Sequence, residues 1–144
     1  MKSIVSKVAI TMALALATSA QAMGHDGECH AELGTAMEDM KSAMRMTAFE
    51  MRQGNLEEAR NQVAILIEKS EESKTYQPIK TREYEGEDKE AFLANYQEGM
   101  DQLLAYLTTM DTQLAEGDVD EAMKTFREID QHSKRSHRSF KDDC

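Results

Sequence analysis

Two side chains in this 144-residue sequence carry donors suited to a transition metal, Met37 and His137. Met37 stands near the start of one periodic apolar segment, and His137 near the end of another. A thioether and an imidazole are both haem axial ligands, and the Met/His pair is typical of electron-transfer cytochromes. Most of the chain lies between the two residues, so they meet only if the fold sets their segments side by side. Spacing alone leaves two readings open. Either the pair ligates iron, or Met37 is ordinary core packing and His137 a favourable cation against a helix C-terminus.

Other donors compete for attention. Met37, Met40 and Met44 follow a spacing that suits Cu(I) but is equally a core stripe. If the N-terminus is cut after Ala22, His25 becomes the third residue. Amine, amides and imidazole there wrap a square-planar Cu(II) or Ni(II), with Cys29 and His30 close by. A haem-free copper- or nickel-binding bundle is therefore the alternative function. Cys29-His30 lacks the spacing of covalent haem attachment. Cys29 and Cys144, the only cysteines, flank the first and last helical segments, and an exported chain permits their pairing. Such a disulfide would be worth about 4–5 kcal/mol in the loop-entropy account, less any strain. His132 reads as a solvated surface residue. A di-iron carboxylate site needs Glu-x-x-His on two helices, and the sequence has none.

The elements that must position these groups begin after a leader. Lys2 and Lys7 precede an apolar run, Val8 to Ala17, and Ala20-Gln21-Ala22 offers small residues at a cleavage site. The run is shorter than the ~20 residues of a bilayer span. Residues 1–22 are expected to be a cleaved signal peptide, and 23–144 a single periplasmic domain without membrane insertion. Removing 22 of 144 residues leaves 122, enough for one core. The leader holds two lysines and no acid, so the net charge moves from −10 to −12. That excludes nucleic acid as a natural partner and points to a redox partner basic at the contact. A monomer is favoured.

One Pro, no Trp and many Ala, Leu, Met, Glu and Lys make helix-forming composition. Four stripes follow. The first, about Ala31 to Arg52, carries Leu33, Met37, Met40, Met44 and Met51. The second, from Asn55, carries Leu56, Ala59, Val63, Leu66 and Ile67. The third, about Asp88 to Glu116, carries Phe92, Tyr96, Met100, Leu103, Leu107, Met110 and Leu114. The fourth carries Val119, Ala122, Met123, Phe126, Ile129, Ser133, His137 and Phe140, which turns the His137 ring inward. Gly54 and Gly117 end the first and third helices. Asn55 with Glu58, and Asp118 with Glu121, read as capping boxes. The likeness of the two turns leaves a duplicated hairpin open. Two tight turns and one long link, Lys74 to Glu87, predict an all-α, antiparallel up-down-up-down four-helix bundle. Met37 and His137 then fall at the same end.

Ala31-Glu32-Leu33-Gly34-Thr35-Ala36-Met37-Glu38 resembles the first helix of the soluble periplasmic cytochrome b562 family, with Met37 where the Met ligand belongs. Gly117-Asp118-Val119-Asp120-Glu121-Ala122 through Lys134-Arg135-Ser136-His137 is similar, without a gap, to that family's fourth helix, and His137 falls at its His ligand. Tyr96 and Gly99 match an aromatic and a glycine beside the haem. The resemblance implies a non-covalent b-type haem held by Met37 and His137, one-electron transfer, and no enzymatic reaction. Met100 stands where the family often has a second aromatic. The arginines expected near the propionates are absent from the matching positions, so the resemblance leaves that role to Lys134, Arg135 and Arg138.

Overall fold

The structure, a computed structural model, describes residues 32–141. The leader, His25, Cys29, His30 and Cys144 lie outside the described residues, and so do the calls made on them. The four helices are α1 (Glu32–Gln53), α2 (Leu56–Lys74), α3 (Gly86–Ala115) and α4 (Val119–Phe140). No strand occurs among the described residues, and none of these helices is long and apolar enough to cross a membrane.

Cross-helix bonds record the antiparallel register. Ser70 Oγ of α2 donates to Met40 Sδ of α1 at 3.3 Å. Arg60 of α2 holds Asp111 of α3 through Nε at 2.9 Å, and Lys74 pairs with Asp101 further along. Thr125 Oγ1 of α4 donates to Gln113 of α3 at 2.8 Å. The expected four-helix bundle is the observed fold. Its interior is built from the expected stripes, with Val63, Leu107, Met110, Leu114, Ala122 and Ile129 all at most 2% exposed.

The two tight turns share one backbone. Gly54 and Gly117 have φ of +77° and +79°, the left-handed conformation a side chain resists. The following amides reach back to the helix just ended, Asn55 N to Glu50 O and Asp118 N to Gln113 O, each at 2.9 Å. Capping differs between them. Asp118 Oδ1 accepts from the Glu121 amide at 3.1 Å, as expected. Asn55 does not cap α2: its Nδ2 donates to the Glu50 carboxylate at 2.8 Å. An amide side chain can donate as well as accept, and a carboxylate in the last turn of α1 is the stronger partner.

The long link holds an element the sequence reading lacked, a 3-10 turn over Ile79–Glu83, started by Pro78. It closes the other end of the bundle, where Thr81 is 3% exposed.

Candidate functional site

Register carries Met37 and His137 to one level. Met40 abuts Ser70; three residues on, the Ser73 carbonyl accepts from Tyr96 Oη at 2.6 Å; and the Gly99 carbonyl bonds His132 at 2.8 Å. Following that chain of contacts, the first turns of α1 stand opposite the last turns of α4. These two helices make the slimmest contact of any neighbouring pair in the bundle.

Met37 is half-buried and packs against the core cluster. His137, expected to point inward, is exposed. Helical phase sets the flank of α4 that it occupies, and the described helices leave the side chain open there. Protein around the ring still desolvates it, and with the positive charge of Lys141 this lowers its pKa below the ordinary value. The imidazole is therefore neutral near pH 7, with a ring nitrogen free to bind a metal.

Against the last turn of α4 stands an apolar wall from α3. Phe92, Tyr96 and Met100 are 8%, 4% and 6% exposed, yet they lie apart from the main core cluster. Phe140 of α4 meets Phe92 and Tyr96 edge-on, at centroid distances of 5.3 and 5.6 Å. Tyr84, from the long link, stacks on Phe92 at 4.6 Å. Such pairs add to the energy of area burial. Tyr84 is a residue that sequence reasoning missed; an aromatic inside an otherwise polar link was the available signal. Burial raises the Tyr96 phenol to about 12, and its hydroxyl satisfies one of the α2 C-terminal carbonyls. Two buried hydroxyls close to this region, Ser73 Oγ and Thr81 Oγ1, have no hydrogen-bond partner.

Cations gather at the end of α4. Lys134 is held by Asp130 at 2.6 Å. Arg135, Arg138 and Lys141 are exposed and form no ion pair among the described residues.

His132, taken from sequence as a solvated residue, is half-buried and bonded to the α3 backbone. It lies one turn from Ile129 and from Ser136, at the edge of the buried stripe, and its partner belongs to another helix.

The methionine spacing that suited copper is absorbed by packing. Met40 is 7% exposed and its sulfur already accepts from Ser70, while Met37 and Met44 pack on the core cluster. No group of three or more His, Cys, Asp or Glu able to hold a metal occurs among the described residues.

Compared with known families, the chain matches the description "Cytochrome b562" over residues 32–141. No curated protein gives a significant match.

Proposed function

The chain belongs to the cytochrome b562 family of haem-binding electron-transfer proteins, and we propose that it binds one non-covalent b-type haem between Met37 Sδ and a ring nitrogen of His137. Export to the periplasm, with loss of residues 1–22, is part of the same proposal. What supports it is the donor set: a half-buried thioether on α1 and an imidazole on α4, carried by two neighbouring helices that touch sparsely. The residues present fit the group. Tyr96 and Met100 offer an apolar face that keeps water away, and the unpaired Arg135 and Arg138 offer charge to carboxylates at the rim.

Haem held by Met37 and His137 would supply one-electron chemistry, and the thioether donor would raise its potential. The chain's own part is to hold the donors. Met37 is fixed by packing on the core, whereas exposed His137 depends on how α4 is held. An electron carrier follows from this ligand set, and a catalytic cycle does not.

The test is a visible spectrum of the protein loaded with haemin, oxidised and then reduced by dithionite. Sharp reduced α and β bands, lost in Met37→Ala and in His137→Ala, are expected. A protein that takes up no haemin, or whose bands survive both substitutions, would overturn the ligand assignment.

A further inference from the structure

His132 and His137 stand five residues apart on α4, which at 3.6 residues per turn sets them about 140° apart around the helix. His132 shares its flank with Thr125, and both bond to α3, to Gly99 and Gln113 respectively. His137 lies on the other flank of the helix and is exposed. One histidine is thus hydrogen-bonded to a neighbouring helix, and the other carries no such bond among the described residues.

The contact of His132 is of one kind only. Nε2 lies 2.8 Å from the Gly99 carbonyl oxygen, which can accept but not donate, so Nε2 carries the proton. Ser136 Oγ, at 3.4 Å from the same nitrogen, can then only share that proton. The bond survives protonation of the ring, since Nε2–H is present in both forms. The ring is further steadied edge-on against Tyr106 at 5.9 Å. Phe140 and Ser136 pack close by, and a Cβ at Gly99 would meet them at ordinary contact distances of 3.8 and 3.9 Å.

Resting on the haem reading above, we propose that His132 is a positioning residue. Its bond to the Gly99 carbonyl fixes the rotation and height of the end of α4 against α3, and so would place His137 to hold the haem together with Met37. The last turns of α4 have little else to do this. Among cross-helix hydrogen bonds of the described residues, those of α4 to α3 are made by Thr125, far down the helix, and by His132. Beyond it, Phe140 adds ring contacts to Phe92 and Tyr96.

Two substitutions separate this role from simple packing. His132→Leu keeps volume and removes the donor; His132→Gln places an amide N–H near the position of Nε2. In the haem-free protein, His132→Leu should speed backbone amide exchange about tenfold over residues 136–141, and His132→Gln should restore it. In the haemin-loaded protein, His132→Leu should convert part of the low-spin spectrum to high-spin and raise the rate of haem loss about tenfold, again with rescue by Gln. If Leu and Gln variants both match the parent in exchange, spectrum and haem loss, the proposal is overturned. A change in exchange alone, with spectrum and haem loss untouched, also overturns it, because the bond would then hold the helix without placing the ligand. Should the parent protein itself bind no haemin, the exchange experiment still reports on the bond, and it is the haem reading that fails.

Discussion

The two ends of the bundle are built to different standards. At the end of the tight turns, Val63, Leu107, Met110, Leu114 and Ala122 are at most 2% exposed, and two glycines close the chain over them. At the other end, Met37 is half-buried, His137 is exposed, and Ser73 and Thr81 bury hydroxyls without partners. Apolar burial at the turn end is nearly complete, while at the other end α1 and α4 touch sparsely and polar groups enter the interior.

The largest expected effect tests that division. Leu107→Ala, at a fully buried core position, should cost roughly 2–5 kcal/mol in urea unfolding of the haem-free protein. Met37→Ala should cost less than about 2 kcal/mol there, since its side chain is only half-buried. Equal costs would mean that the donor end is as tightly built as the other.

Tyr96 sharpens the comparison, because it is the donor end's best-anchored residue. Tyr96→Phe should lose ~1 kcal/mol at neutral pH with the bond to the Ser73 carbonyl. In alkali the sign reverses in its favour. Burial raises the folded phenol to about 12, against an ordinary value near 10. The stability this contributes is fully present below pH ~10 and is lost as pH climbs through ~12, to the extent of about 2 kcal/mol. The Phe variant should lack that loss, so the stability gap between the two proteins should narrow or invert from pH 10 to pH 12. A gap constant across that range would place the hydroxyl in water.

The smallest effect distinguishes the two turns at the packed end. Asp118→Ala should destabilise by ~1 kcal/mol, and Asn55→Ala by only a few tenths, in thermal melts. Equal losses would show that Asn55 caps α2 in solution after all.

Much of this was legible beforehand, and the exceptions have reasons. The stripes of α1 to α4 are the buried faces, because apolar spacing near 3.6 has no other stable solution in water. Gly54 and Gly117 were readable as stops, since a left-handed turn needs them. The Asn55 cap failed because an amide has a choice of partners, and Glu50 lies within reach only once the turn has formed. His132 was misjudged because its partner is a backbone carbonyl on another helix, which leaves no mark in local spacing. His137 was placed inward by helical phase, but phase says which flank a residue occupies, not whether a neighbouring helix covers it.

Composition, periodicity and turn residues by themselves determined an all-helical bundle, its four stripes and the end at which Met37 and His137 fall. Those are properties of each helix and of the lengths between helices, and they follow from burying apolar faces with short connections. Only the tertiary structure decided that α1 and α4 touch sparsely, that Phe140 and Tyr84 complete a wall around Phe92 and Tyr96, and that His132 ties α4 to α3. Those depend on how far apart and at what rotation whole helices settle. That balance is summed over many weak contacts, and no single stretch of sequence carries it.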